Sequence, residues 1–238
     1  MAGTKMDGMR LVRISSRSGA DRAVKGSIAA LVCVVAVSSC SGQSPAPRAD
    51  DLCSVAESSD EAAALRQIIG SGDYETQVDS TTDGLTSRLK KDLRERKTDD
   101  WTTPADMCSY VPANQSKPHR VRVEFGWTPP AGAQGARPAV KDAGRYEVNG
   151  ALIETDDIAS LLRIRCDLPG GLGAPSKQVL LYGDVSYSIN ISRTDIDQAA
   201  RDRQTTFAYL MTRRVTDALG CENKPLEKPP VVKPLPTP

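Results

Sequence analysis

The stretch Val179-Leu-Leu-Tyr-Gly-Asp-Val-Ser-Tyr-Ser-Ile-Asn-Ile191 decides the fold class. Val179, Leu181, Gly183, Val185, Tyr187, Ile189 and Ile191 recur at every second position, the repeat of a strand with one buried side. The period then changes. Ile196, Ala199, Ala200, Phe207, Leu210, Met211, Ala218 and Leu219 fall on one face of a long helix, opened by a capping-box pattern at Thr194 and Asp197 and closed by Gly220. A one-sided strand followed by an amphipathic helix predicts an α+β fold, with an antiparallel sheet and helices packed on one face.

Upstream, His119 to Trp127 alternates in the same way. Val121, Val123, Phe125 and Trp127 point one way, and Arg120, Arg122 and Glu124 the other. Strand signals begin at Met107, and Tyr146–Ile153 and Leu161–Cys166 read as further strands, making about five in all. Residues 128–144, with Pro129, Pro130, Gly132, Gly135 and Pro138, read as a loop. Ser58-Ser-Asp-Glu61 has the spacing of a capping box, and Leu65, Ile68 and Ile69 make the apolar face of an N-terminal helix that ends at Gly70. Residues 71–100 are polar, with a weaker helical spacing at Leu85, Leu89 and Leu93.

Six cysteines are present. Cys53, Cys108, Cys166 and Cys221 lie too far apart for a CxxC-type zinc site and read as two disulfides of an oxidising compartment. Three connectivities are open. The equal intervals favour Cys53–Cys108 and Cys166–Cys221, by coincidence or as the trace of two similar halves.

The amino terminus has three zones. Lys5, Arg10, Arg13, Arg17, Arg22 and Lys25 face only two acids, Asp7 and Asp21. The apolar run Ile28–Val37 follows, then Ser38-Ser39-Cys40. That order is a secretory signal, and its apolar run is about half of the roughly 20 residues a transmembrane helix needs. Val37-Ser38-Ser39-Cys40 resembles the lipobox of bacterial lipoproteins. The resemblance implies cleavage between Ser39 and Cys40, a diacylglyceryl thioether on Cys40, and a lipid-anchored address on the outer face of the plasma membrane. Two acyl chains suffice for stable retention. Met1, Met6 and Met9 are alternative starts.

The expected organisation is therefore a signal peptide over 1–39, a flexible tether over 40–50, a globular domain over 51–221 and a Pro-rich disordered tail over 222–238. Cleavage removes six of 31 Lys+Arg and two of 30 Asp+Glu, so net +1 becomes net −3 and nothing points to nucleic acid. The Leu52-Cys53-Ser54 and Leu219-Gly220-Cys221 positions, with the Ala-, Arg- and Asp-rich composition, resemble lipoproteins of actinobacteria. That resemblance implies no activity.

Catalytic patterns are sparse. His119 is the one histidine and reads as a strand-end residue. No G-x-S-x-G elbow occurs. Asp99-Asp100 and Asp156-Asp157 read as turn residues, and Gly170-Gly-Leu-Gly173 lacks the G-K-[ST] of a phosphate loop and reads as a flexible turn with no helix starting there. No metal and no cofactor are expected. Asn114-Gln-Ser116 and Asn190-Ile-Ser192 match the glycosylation sequon but are discounted in a bacterial chain. Arg120, Arg122, Arg163 and Arg165 form the candidate binding face: on neighbouring strands they would make a basic stripe, partly neutralised by Glu124 and Asp184, toward anionic headgroups or wall polymer. The expected function is a non-enzymatic binding or accessory module at the cell envelope, meeting an envelope protein or polymer. The alternatives are an envelope-directed hydrolase and a structural wall spacer.

Overall fold

A computed structural model describes residues 52–70, 73–96, 99–113, 119–140, 142–190 and 196–236. The leader, Cys40 and the tether lie outside these residues, as do Thr194 and the Asn114 sequon. Among the described residues no helix is long and apolar enough to cross a membrane.

Among the described residues, eight strands form one antiparallel sheet: β1 Tyr74–Val78, β2 Ala105–Pro112, β3 Val121–Thr128, β4 Gly144–Val148, β5 Ala151–Thr155, β6 Ala159–Ile164, β7 Leu180–Tyr187 and β8 Val232–Pro234. Their order is β1-β2-β3-β7-β6-β5-β4-β8. The helices are α1 Asp60–Ile69, α2 Thr82–Glu95, the one-turn α3 Gly173–Ser176 and the 22-residue α4 Gln198–Leu219.

The α+β class and the single antiparallel sheet hold, but three strands more than the expected five are present. β1 is an edge strand, exposed along four of its five residues, and so carries no apolar alternation to read. The segment expected as one strand, Tyr146–Ile153, is a hairpin. Asn149 and Gly150 sit at its tip with positive φ of 51° and 84°, the type I′ geometry that Asn-Gly favours. β8 comes from the carboxyl-terminal tail. The tail is thus not a disordered segment: Leu226 is buried, Tyr209 donates to the Lys228 carbonyl at 2.9 Å, and Val232–Pro234 pairs with β4. Proline is tolerated there because β8 is an edge.

The helices also differ from expectation. Both α2 and α4 cover the sheet, α2 on β2 and β3 and α4 on β5, β6 and β7, whereas α1 packs on α4 rather than on the strands. Being covered on two sides, α4 buries residues all round, from Gln204 and Thr205 through Phe207–Thr212 to Leu219. Its cap is Asp197, which accepts from the Ala200 N–H at 2.7 Å. α1 begins one residue later than the capping-box pattern places it, with Ser59 accepting from Ala62. α2, only weakly readable in the sequence, is a 14-residue helix capped by Thr81, with Leu85, Leu89 and Leu93 buried. The glycine-rich turn is a 3-10 turn, Gly170–Leu172, running into α3, so a short helix does begin there.

The core lies between the sheet's inner face and these helices. Val121, Val123, Phe125 and Trp127 from β3 and Leu181, Val185 and Tyr187 from β7 meet Leu85, Leu89, Phe207 and Met211. Trp127 donates its indole N–H to the Leu89 carbonyl at 2.8 Å, which fixes α2 against β3. Two disulfides staple this body. Cys53–Cys108 ties the segment before α1 to β2, and Cys166–Cys221 ties the segment after β6 to the end of α4. The equal separations of 55 residues join unlike surroundings, so the two halves are not copies of one module.

Candidate functional site

The outer face of the sheet carries the side chains that alternate away from the core. Register puts Asp106 opposite Glu124 and Glu124 opposite Asp184, so three carboxylates sit side by side on β2, β3 and β7. Directly opposed like charges destabilise a sheet, and the surrounding residues offset this row. Arg122 lies 3.0 Å from Asp106 and 3.3 Å from Glu124, and Arg137 pairs with Asp184.

Arg137 belongs to a strap, residues 129–140, that folds back over the outer face. Its N–H donates to Thr128 Oγ1 at 2.7 Å. Its guanidinium lies over two aromatic rings, 4.6 Å from the Tyr182 centroid and 5.1 Å from that of Trp101. Tyr182, fully buried, stands beneath as a pillar and donates to the Thr102 carbonyl at 2.8 Å. Its ring crosses β3 at Gly126, where a Cβ would come within 2.5 Å of the phenolic oxygen, so only glycine leaves the space. Further along, Arg163 pairs with Glu154 at 2.9 Å and holds the strap by its backbone, donating to the carbonyls of Arg137 and Pro138 at 3.1 and 3.0 Å. Between the strap and β6 a depression of about 370 Å³ opens, lined by Trp101, Arg137, Pro138, Val140, Leu161 and Asp184 among others.

Burial shapes the protonation of this row. Desolvation is the leading cause that raises the Glu124 carboxyl to about 7, with a hydrogen bond to Asp106 and the nearby Asp106 and Asp184 charges adding to it, and with Arg122 opposing it. Asp184 is also raised, first by burial, against the pull of Arg137. Tyr182 is pushed up to about 12 by burial. A carboxyl raised in the folded state from 4.5 to about 7 keeps its proton where the unfolded chain has lost it. Stability contributed by Glu124 is therefore intact below about 4.5 and declines as pH rises toward 7. Glu124→Gln cannot ionise, so the variant should gain on the wild type in melting temperature between pH 4.5 and pH 8. An identical difference at both pH values would contradict this assignment.

The four arginines are not brought together. β7 inserts between β3 and β6, placing Asp184 among them. Arg122 and Arg163 are spent on Asp106, Glu124 and Glu154. Arg120 precedes β3 and Arg165 follows β6. Because those strands run parallel to each other on either side of β7, the two residues sit at opposite ends of the sheet. A basic stripe is thus replaced by a charge-balanced face. The paired acids have structural duties: Asp156 accepts from the N–H groups of Ile158 and Ala159 at 2.8 and 2.6 Å, and Asp157 pairs with Arg201 at 2.7 Å. Asp100 takes the Arg96 side chain on its carbonyl at 2.7 Å. His119 lies just before β3, half-buried, with its Nδ1 enclosed.

The sequence pattern points Glu124 and Asp184 outward, but their alignment with Asp106 depends on strand register, which alternation alone does not give. Trp101 and Arg137 carry no periodic signal. Among the described residues no group of three or more His, Cys, Asp or Glu has metal-holding geometry. Comparison of the chain with protein families, curated proteins and solved structures finds no match.

Proposed function

We propose that the protein is an exported lipoprotein, anchored through Cys40 to the outer face of the plasma membrane, whose globular body serves as a binding or accessory module for envelope material. One observation carries the reading: the body is stapled by two disulfides whose four cysteines are buried. Such bridges persist in oxidising compartments, and the basic, apolar and lipobox zones ahead of the domain supply the route there. The outer face supports the binding part. It offers a shallow, charge-balanced depression with a partly exposed indole, on the side of the sheet that the helices leave free.

A second reading, an envelope-directed hydrolase, has one observation in its favour. Glu124, poised near neutral pH between two other acids, has the protonation suited to general acid–base work. The spacer reading loses its element, because the Pro-rich tail is folded onto β4 and Tyr209 rather than extended.

The test has two arms. Full chain and Cys40→Ala are expressed in a bacterial host with labelled palmitate. Label is expected in membrane-bound wild type and none in the variant, which should appear in the medium. Label on the variant overturns the anchor. Purified full chain is then incubated with isolated wall material. Retention without release of soluble fragments is the expected result, and fragment release abolished by Glu124→Gln would replace the binding reading with the hydrolase.

A further inference from the structure

The depression under the strap has a chemistry that narrows its ligand. Its polar groups come as a matched pair, with the Arg137 guanidinium neutralised by Asp184, so an ion of either sign meets a repelling partner there. A free anion would also face the Glu124 and Asp106 carboxyls in the same row, and a free cation would face Arg122. Yet the pair is not closed to hydrogen bonding. Both side chains reach the surface, at 18% and 15% exposure, so the guanidinium can donate and the carboxylate can accept at the rim of the depression. A guanidinium beside a carboxylate suits groups that accept and donate at once, as hydroxyls do. Around this pair the lining is apolar: Pro138, Val140 and Leu161 form the wall, and the indole of Trp101, 42% exposed, forms the rim.

We propose that this depression is a saccharide site that takes one or two uncharged sugar rings, their C–H faces against Trp101 and the apolar wall and their hydroxyls toward Arg137 and Asp184. The inference rests on the binding-module reading and names its ligand class. The opening of about 370 Å³ sits at the small end of ligand pockets, which run from roughly 300 to 1,000 Å³. It therefore fits a chain end or a disaccharide unit rather than a long segment of polymer.

The probes are N,N′-diacetylchitobiose and maltose, added to the full chain as isolated. The protein has two tryptophans and Trp127 is fully buried, so Trp101 reports on the site. A saturable fluorescence change is expected with at least one sugar, with a dissociation constant of about 1 mM or tighter. Saturation-transfer NMR then compares Trp101→Ala and Asp184→Asn with wild type, with thermal melts confirming that each variant is folded. Each should bind at least about tenfold more weakly, a change of about 1.4 kcal/mol. Absence of saturable change with both sugars overturns the proposal, as does equal binding by a folded variant. A response to trialanine and to neither sugar overturns it in favour of a peptide ligand. If both sugars fail while the chain is still retained on wall material, the ligand class is wrong and the binding reading stands. If retention fails too, both fall.

Discussion

Glu154→Ala is expected to destabilise the protein by about 3–5 kcal/mol, read as a drop in the urea midpoint at unchanged slope. Arg163 is only 5% exposed, and its partner Glu154 11%. Removing the carboxylate strands a guanidinium in a site built to exclude water. The remaining partners, the carbonyls of Arg137 and Pro138, hydrogen-bond the group but do not neutralise it. Two further variants separate charge from packing. Glu154→Gln keeps an acceptor for Arg163 and should cost less. The double variant Glu154→Leu/Arg163→Met removes both charges and should recover most of the loss, because a buried ion pair and an apolar pair of similar volume are often close in stability. A loss under about 1 kcal/mol for Glu154→Ala would mean that the guanidinium reaches water, and that the strap is looser than the two carbonyl contacts indicate.

That strap also marks where sequence reading stops. The alternation of Val121–Trp127 and of Leu181–Tyr187 placed β3 and β7 because each has one side in the core, and burial imposes period two on composition. The same logic finds α4, although its middle, Phe207–Thr212, is buried all round and so blurs the helical stripe. Equal intervals favour the pairing Cys53–Cys108 and Cys166–Cys221 among three open connectivities, but the reason it forms is tertiary: β2 lies beside the chain entering α1, and α4 ends beside the exit of β6. Asn149-Gly150 is a hairpin-turn signal in the sequence, but the flanking residues read as one continuous strand and hide it. β1 and β8 were not legible. Edge strands with exposed side chains have no buried face to pattern them, and prolines in the tail argue against a strand except at an edge. The candidate site was hardest. Asp106 and Glu124 are one strand connection apart, but β4, β5 and β6 lie between Glu124 and Asp184 in the chain, and a shift of one residue in either register would turn an acid toward the core. The arginine stripe failed for a related reason: sequence shows which side of a strand a residue takes, but not which strand stands next to it.

Replacing either cystine by a pair of alanines is expected to cost about 4 kcal/mol, because both bridges close the same 55-residue interval and the chain-entropy account depends on loop length alone. Equal losses from Cys53→Ala/Cys108→Ala and Cys166→Ala/Cys221→Ala in urea unfolding are thus the distinguishing outcome. The native contacts around the two sites are unlike. After loss of Cys166–Cys221 the end of α4 is still held to the strand exit by Glu222 donating to the Asp167 carbonyl at 2.8 Å, and by Asn223, which accepts from the Asp167 N–H at 3.0 Å and donates to the Arg165 carbonyl at 3.0 Å. After loss of Cys53–Cys108 the entering segment keeps the Tyr110 hydroxyl on the Cys53 carbonyl at 3.1 Å, and Arg214 on the Ser54 carbonyl at 2.8 Å. If those native contacts set the outcome, the first bridge will be the costlier to remove, and the difference measures how far the entropic account falls short. A loss below about 1 kcal/mol for both pairs would sink more than the ledger. A domain of this kind typically has a total stability of about 5–15 kcal/mol, so two bridges of about 4 kcal/mol each would be most of it. A chain that depends on them so heavily would fold fully only where thiols oxidise, and indifference to their removal would take away the physical support for the proposed extracytoplasmic address.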